Sequence, residues 1–184
     1  MVNLPTVITF SRILLIPLFI FVVKSKPFLG VLIFVLASST DFLDGYIARK
    51  SRQVTKLGIL LDPLADKLLV ISAIIVFVDM NIIPGWLAIV IIAREFIVTG
   101  LRIVALSRDM VIPAEIGGKI KTITQFVSIL ILLVDRLNIY MIDYLENLFN
   151  LDAYAAGIVL LWISMFAGIA SGIQYFILFW RRLS

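Results

Sequence analysis

The sequence predicts an all-α integral membrane protein, a bundle of six transmembrane helices with both termini in the cytoplasm. Of its 184 residues, 62% are hydrophobic and only 15% are charged, and the mean hydropathy is +1.13. A water-soluble domain of this length could not cover so much apolar surface with so few charges. Apolar runs of about 17 to 26 residues recur along the chain, which is the length needed to cross about 30 Å of hydrocarbon.

Each predicted span is bounded by residues that stop or start a helix. Residues 24–27 (Lys-Ser-Lys-Pro) separate the first two spans, and residues 81–84, ending in Pro84, separate the third from the fourth. Gly117 and Gly118 precede the fifth span, and the polar stretch 135–152 precedes the sixth. The predicted spans are residues 6–23, 27–48, 62–78, 84–106, 118–134 and 154–179. Because the chain contains no low-complexity linker, residues 1–184 are predicted to form a single domain.

Basic residues set the predicted orientation. With the N-terminus inside, the cytoplasmic connections and the C-terminus hold nine lysines and arginines, whereas the opposite loops hold only Lys24, Lys26 and Arg136. The positive-inside rule therefore places both termini in the cytoplasm. This pattern suits a multi-pass protein of a bacterial plasma membrane, with an organelle membrane as the alternative. Residues 138–151, on the opposite side, have the apolar spacing of an interfacial amphipathic helix.

Composition restricts the chemistry that this chain can perform. Cysteine and histidine are both absent, which excludes disulfides, thiolate nucleophiles and imidazole bases and argues against a zinc site. Catalysis would have to use carboxylates, hydroxyls, basic side chains and a metal that accepts oxygen ligands. The net charge of +4 suits anionic lipid or phosphate partners, and the high hydrophobicity favours membrane lipid over nucleic acid.

Four aspartates are predicted to meet at the cytoplasmic membrane face. Asp41 and Asp44 lie in the cytoplasmic half of the second span, and Asp62 and Asp66 open the third span from the same side. The spacings i, i+3 and i, i+4 place each pair on one helix face. Four neighbouring carboxylates repel one another unless a cation neutralises them, and an all-oxygen donor set favours Mg²⁺ or Mn²⁺.

Each of these features also has a simpler explanation. Asp62 precedes Pro63 and fits a helix N-cap followed by proline in the first turn. The two aspartates of the second span could form a buried ion pair with Arg49 or a neighbouring lysine. Gly45 and Ala48 would let a nucleotide approach the backbone, but they could equally form a close helix–helix contact. The coincidence of all these features at one membrane face favours a functional site.

The combined pattern resembles the signature of the CDP-alcohol phosphotransferases. The matching run is Asp41-x-x-Asp44-Gly45-x-x-Ala48-Arg49, eight further residues, then Gly58-x-x-x-Asp62-x-x-x-Asp66. All eight defining positions are filled at the family's spacing. The family's fold also has six transmembrane helices, so the resemblance covers the whole chain.

This resemblance implies a site with two divalent ions and assigns a role to each residue of the signature. The implied metal ligands are Asp41, Asp44, Asp62 and Asp66, and Asp66 is also the implied catalytic general base. The implied CDP-binding residues are Asp41, Gly45, Ala48, Arg49, Gly58 and Asp62, with Gly58 expected in the loop before the third span. The resemblance further implies a homodimer.

A second group of residues indicates which alcohol accepts the transferred group. Arg94 and Arg102 lie on the fourth span, within about 80° on a helical wheel, and Lys119 and Lys121 begin the fifth. Arginine suits phosphate because its guanidinium group is a bidentate donor that stays charged when partly desolvated. An acceptor that carries a phosphate, such as glycerol 3-phosphate or an inositol phosphate, is therefore predicted, whereas serine is not.

The basic residues have simpler explanations as well. Arg94 could pair with Glu95 or Glu115, and the two lysines could merely follow the positive-inside rule. Lys119 and Lys121 also lie about 160° apart if the segment is helical, so an irregular turn would be needed to bring both into one pocket.

Three local stretches resemble the members of the family whose acceptor is sn-glycerol 3-phosphate. They are Asn3-Leu4-Pro5 with Thr9 and Arg12, then Ala93-Arg94-Glu95 continuing to Arg102, and Gly118-Lys119-x-Lys121-Thr122-x-x-Gln125. This resemblance implies transfer of a phosphatidyl group from CDP-diacylglycerol to sn-glycerol 3-phosphate, with phosphatidylglycerol phosphate and CMP as products. The alternatives are another acceptor (inositol phosphate, serine or phosphatidylglycerol) and, from a different class, a small ion- or proton-coupled transporter.

Overall fold

The computed structural model describes residues 4–51, 56–108, 116–137 and 152–183, with side chains described for 13–39, 67–105, 107–108, 117–137 and 152–182. The regular secondary structure within these ranges is entirely helical. The helices are α1 (Leu4–Ser25), α2 (Pro27–Ser51), α3 (Lys56–Asp79), α4 (Gly85–Ser107), α5 (Ile116–Asp135) and α6 (Ala153–Leu183). The prediction of six helices is thus confirmed for the described residues. The predicted interfacial helix at 138–151 lies outside them.

The start of α3 differs from the prediction. The helix begins at Lys56, six residues before Asp62, so two expectations are wrong: Asp62 is not a helix N-cap, and Gly58 is not in a loop. The reason is that residues 57–61 are, apart from the glycine, apolar residues compatible with a helix. The helix therefore starts upstream of Pro63 rather than at it.

Two other helix boundaries match the local sequence signals. Asp152 precedes α6, and its Oδ1 accepts a hydrogen bond from the backbone N–H of Ala155 at 3.1 Å, which is the geometry of an N-cap. After α3, Asn81 has a φ of 56°. Asparagine tolerates this left-handed conformation, which commonly ends helices.

The described helices divide into two compact units, Met1–Met80 and Asn81–Ser184. In the first unit, α1, α2 and α3 contact one another. Phe19 and Phe34 are fully buried, with ring centroids 5.8 Å apart. A methyl group added at Gly30 would lie 2.7 Å from Val23 Cγ2, so α1 and α2 approach closely because this position has no side chain.

In the second unit, α6 packs against both α5 and α4. Ser128 on α5 donates a hydrogen bond to the carbonyl oxygen of Gly157 on α6, at 2.7 Å. A methyl group at Gly157 would lie 2.7 Å from Leu132, so this glycine permits a close helix–helix contact of the kind common in membranes. The Tyr154 hydroxyl donates to the carbonyl oxygen of Ile82 at 3.0 Å, which ties the start of α6 to the segment before α4.

Among the described residues, two helical segments are long and apolar enough to cross a membrane by length and composition: Gly117–Asp135 and Ala153–Arg182. Shorter apolar stretches occupy Ile13–Ser25 and Pro27–Ser39. Large apolar side chains are exposed on several helices, including Leu14, Phe21, Ile89, Phe96, Ile123 and Phe166. Extensive exposed apolar surface is unfavourable in water and is expected where helices face hydrocarbon.

Candidate active site

The signature residues lie on two neighbouring helices of the first unit. Helix α2 contains Asp41, Asp44, Gly45, Ala48 and Arg49, and α3 contains Gly58, Asp62 and Asp66. These two helices contact each other. The side chains at all eight positions lie outside the described residues, so their assignments as metal ligands, CDP-binding residues and general base stay predictions.

The donor set of the signature fits a hard divalent cation. Two adjoining helices carry four carboxylates within 26 residues of sequence, and carboxylate oxygens are the ligands that Mg²⁺ and Mn²⁺ prefer. Among the side chains that the structure describes, no group of three or more acidic residues could hold a metal ion. The four signature aspartates of α2 and α3 stay the predicted metal ligands.

The second unit contains a buried polar cluster centred on Arg94 of α4. The Arg94 Nε donates to the carbonyl oxygen of Gly168 at 2.8 Å, and Nη2 donates to the Ser171 hydroxyl at 2.6 Å. Nη1 donates to Glu95 Oε1 at 2.9 Å. The guanidinium group is thus held by two groups of α6 and one of its own helix, which fixes the plane of its donors.

Glu95 joins this arginine to a lysine of α5. Its Oε1 accepts the hydrogen bond from Arg94 and also forms an ion pair with Lys121 Nζ. The side chains of Glu95 and Lys121 are 9% and 8% exposed, so this ion pair is largely shielded from solvent. Charges this deeply buried persist only when they are paired, and the three side chains therefore form one electrostatic unit.

Gly168 of α6 lies against the side chains of both Arg94 on α4 and Lys121 on α5. A methyl group at Gly168 would lie 3.3 Å from Arg94 Nε and 3.4 Å from Lys121 Cγ. Ser164, one turn earlier, donates to the carbonyl oxygen of Lys121 at 3.2 Å. Beside these residues lies a cavity of about 10 Å³, lined by Val90, Ile91, Arg94, Glu95, Lys121, Ser164, Met165, Gly168 and Ile169. That volume holds about one water molecule.

The four basic residues predicted to bind the acceptor phosphate fall into two pairs. Arg94 and Lys121 meet at Glu95, whereas Arg102 and Lys119 are exposed. The simpler explanation for Arg94, that it pairs with a neighbouring carboxylate, is confirmed for Glu95. Glu115, the other carboxylate considered, lies outside the described residues. The regular helix of α5 also keeps Lys119 and Lys121 on different faces, as their spacing predicts.

Gly168 and Ser171 were not predicted as hydrogen-bond partners of Arg94. A signal was present, because Ser164, Gly168, Ser171 and Gly172 follow one another at spacings of four, three and one residues on a largely apolar helix. Small and polar residues at such spacings often mark helix–helix contacts in membranes. The pattern does not identify the partner, because Gly168 and Ser171 lie 74 and 77 residues after Arg94 in the sequence.

Gln125 lies one turn after Lys121 on α5 and is 2% exposed. Its Nε2 has no hydrogen-bond partner within the part of the chain that the structure describes. An unsatisfied buried donor is unfavourable by about 1–3 kcal/mol. A water molecule or ligand atom that accepted this hydrogen bond would therefore bind favourably here.

Comparison with known proteins covers nearly the whole chain. A sequence profile of the CDP-alcohol phosphatidyltransferase family matches residues 2–173. A Bacillus subtilis protein named CDP-diacylglycerol–glycerol-3-phosphate 3-phosphatidyltransferase is 40% identical over 100% of this chain and 98% of its own length. Proteins of the same name from Rickettsia bellii and Escherichia coli are 41% and 36% identical, over 95% and 94% of this chain and 93% and 92% of their own lengths. The chain therefore belongs to the CDP-alcohol phosphatidyltransferase family.

Proposed function

We propose that this protein is a membrane enzyme that transfers the phosphatidyl group of CDP-diacylglycerol to sn-glycerol 3-phosphate, a step of phospholipid biosynthesis. The observation that carries the proposal is similarity over full length to relatives that bear the name of this activity. The intact signature of four aspartates on α2 and α3 supports the same reaction. The products are phosphatidylglycerol phosphate and CMP.

The proposed donor site lies on α2 and α3. Two Mg²⁺ or Mn²⁺ ions would be held by Asp41, Asp44, Asp62 and Asp66. When bound, such ions neutralise the pyrophosphate and stabilise the charge that develops on the departing CMP. CDP would bind along Asp41, Gly45, Ala48, Arg49, Gly58 and Asp62, where the glycines and the alanine leave the backbone open to the nucleotide.

In the proposed reaction, Asp66 accepts the proton of the attacking glycerol hydroxyl. The hydroxyl oxygen forms a new bond to the lipid-side phosphorus, and the bond from that phosphorus to the CMP oxygen breaks. CMP leaves with the electron pair, so atoms and charge balance without an oxidant or a covalent enzyme intermediate. Asp66 suits this role because an ionised carboxylate next to the hydroxyl can take its proton as the nucleophile attacks.

The phosphate of the acceptor is proposed to bind to Arg94, Arg102, Lys119 and Lys121. Arg94 and Lys121 support this because they are held in fixed positions, with Lys121 buried and Arg94 16% exposed. Arg102 and Lys119 are exposed and would contribute as mobile cations that attract the dianion.

The proposal extends to placement in the membrane. All six helices would span a plasma membrane, with both termini and the signature aspartates on the cytoplasmic side. Residues 1–184 would act as one domain, which is supported by a family profile that extends across both compact units. A homodimer is proposed from the family resemblance.

The test is a transfer assay with the purified full-length protein in detergent micelles. CMP release from CDP-diacylglycerol is measured with Mg²⁺ and, in separate reactions, glycerol 3-phosphate, inositol phosphate, serine or phosphatidylglycerol. We expect release that requires both glycerol 3-phosphate and the metal. Release with only another acceptor would contradict the proposed substrate, and no release with any acceptor from folded protein would contradict the activity.

The same assay tests the proposed base with Asp66→Asn. We expect kcat to fall by about 10²–10⁴-fold, the usual contribution of a positioned general base. The matched control is Asp79→Asn, which also neutralises one aspartate of α3 but at its other, exposed end. Equal losses in both variants would show that any aspartate of this helix matters and that Asp66 has no special role.

A further inference from the structure

We infer that Glu95 is a positioning residue for the acceptor phosphate and that it acts by holding Arg94 and Lys121 in one fixed arrangement. The inference rests on the proposed function, because it specifies how the phosphate of the acceptor is recognised. Glu95 would not touch the phosphate through its carboxylate, since two anions repel. Its effect on binding is transmitted through the two cations.

The first support is the shared carboxylate oxygen. Oε1 of Glu95 is the partner of both Arg94 Nη1 and Lys121 Nζ, so a single atom sets the spacing between a cation of α4 and a cation of α5. The two helices are otherwise linked here through α6, where Gly168 lies against both side chains. Removing the carboxylate would release this connection without removing either cation.

The second support is the number of hydrogen-bond donors that Arg94 has available. A guanidinium group has five N–H donors, and the structure uses three of them, toward Gly168, Ser171 and Glu95. Within the described residues, Nη1 and Nη2 each keep a further N–H in the same fixed plane. An arginine held in this way loses little side-chain freedom when a phosphate oxygen binds to the remaining donors.

The third support is the charge of the cluster. Two cations and one carboxylate give these three buried side chains a net charge of +1. A buried net positive charge favours binding of an anion. Without Glu95 the two cations would repel each other, and Lys121, which has a long flexible side chain, would move away from Arg94 and toward solvent. The nominal charge of +2 would then no longer be concentrated at one place.

The fourth support is the neighbouring cavity. It is lined by all three charged residues and has a volume of about 10 Å³, which is room for one water molecule. A single phosphate oxygen is of similar size. The cavity is therefore large enough for one oxygen of the acceptor phosphate beside the cations.

The experiment compares Glu95→Gln and Glu95→Asp with the wild-type enzyme in the micellar transfer assay. Glutamine keeps the shape and removes the charge, whereas aspartate keeps the charge and withdraws the oxygen by one methylene group. For Glu95→Gln we expect KM for glycerol 3-phosphate to rise about 10- to 100-fold, the effect of losing a hydrogen bond to a charged group. Both kcat and KM for CDP-diacylglycerol should change by less than about threefold. Inhibition by inorganic phosphate should weaken by the same factor as the acceptor KM.

Two comparisons separate a positioning role from a merely structural one. Glu95→Asp should restore part of the lost acceptor affinity, because a carboxylate again pairs with Lys121. In a Lys121→Met background, Glu95→Gln should raise KM by clearly less than it does alone, since one of its two targets is gone. Asp79→Asn, which removes a lysine-paired but exposed carboxylate, should leave KM unchanged.

The outcomes are distinguishable from one another. If the wild-type enzyme does not use glycerol 3-phosphate, the proposed function fails. If it does, the positioning role is overturned, while the function stands, by either of two results for Glu95→Gln. One is an unchanged KM for glycerol 3-phosphate. The other is a fall in kcat together with equal falls in kcat/KM for glycerol 3-phosphate and for CDP-diacylglycerol. If Glu95→Gln does not fold, Glu95→Asp and the Glu95→Gln/Lys121→Met double variant decide. An acceptor KM in the double variant equal to that of Lys121→Met alone would then overturn the inference, because removing the carboxylate would have had no effect through Arg94.

Discussion

The two units of this protein carry ion pairs of similar composition in very different surroundings. In the first unit, Lys24 at the end of α1 pairs with Asp79 at the end of α3, and both side chains are about half exposed, at 48% and 56%. In the second unit, Lys121 pairs with Glu95, which also accepts a hydrogen bond from Arg94, and these side chains are almost entirely buried.

The comparison shows that burial, rather than the identity of the pair, decides what an ion pair contributes. An exposed pair is screened by water and stabilises a protein by about 0–1 kcal/mol. Removing one member of a buried pair leaves an uncompensated charge and destabilises by about 3–5 kcal/mol. The buried cluster is also held by more hydrogen bonds, because Arg94 donates to Gly168 and Ser171 as well as to Glu95. The following variants test this contrast.

The largest effect on stability is expected from Arg94→Met. Methionine fills much of the same volume but removes the hydrogen bonds to Gly168, Ser171 and Glu95. Glu95 keeps its ion pair with Lys121, so the loss comes from the missing hydrogen bonds and their unsatisfied partners. We expect the free energy of unfolding to fall by about 2–3 kcal/mol, measured by denaturation in mixed detergent micelles. Arg102→Met is the matched control on the same helix. Since Arg102 is exposed, its loss should change stability by less than about 0.5 kcal/mol, and equal losses in the two variants would refute the contrast.

An intermediate effect is expected from Gly168→Ala. The new methyl group would lie 3.3 Å from Arg94 Nε, and that nitrogen cannot easily retreat because it donates to the carbonyl oxygen of the same glycine. Overpacking of this kind is unfavourable by about 1–3 kcal/mol, which exceeds the gain of up to about 1 kcal/mol from replacing a helical glycine by alanine. We therefore expect a net loss of about 1 kcal/mol.

Gly100→Ala provides the control for that substitution. Among the described residues, no atom outside the local backbone of α4 lies within 4 Å of a methyl group built at Gly100, so only the gain in helix propensity applies. The free energy of unfolding should stay the same or rise by up to about 1 kcal/mol. A similar loss in both variants would mean that α6 does not require a glycine beside Arg94.

Much of the fold could be predicted from the sequence because its signals are local. Apolar runs and the breaks between them predicted the six helices, and the positions of Asp41, Asp44, Asp62 and Asp66 predicted the family that the full-length comparison confirmed. The start of α3 was predicted wrongly because Pro63 resembles a helix start. Proline has no backbone N–H and cannot donate a helical hydrogen bond, but this does not by itself determine where a helix begins.

The buried cluster could be predicted only in part because its partners are distant in sequence. The adjacent charges at Arg94 and Glu95, in the middle of an apolar span, indicated a functional or paired position. That Lys121 of α5 and Ser171 of α6 complete the cluster depends on how three helices pack. Helical spacing did predict that Lys119 and Lys121 would face different directions, and one is exposed while the other is buried.

The smallest effect is expected at the exposed pair, and here the two partners should differ. Lys24 lies in the last turn of α1, where a cation also interacts favourably with the helix dipole, whereas Asp79 ends α3, where an anion interacts unfavourably. Lys24→Met should therefore lower the free energy of unfolding by about 0.5–1 kcal/mol, and Asp79→Asn by less than about 0.5 kcal/mol.

Both losses should shrink as salt is raised from about 0.01 M to about 1 M, because the screening length falls from about 30 Å to about 3 Å. The loss caused by Arg94→Met should stay nearly constant over the same range. A salt-independent loss above about 2 kcal/mol at Lys24 would show that this pair behaves like a buried one, and exposure would then not be what separates the two units.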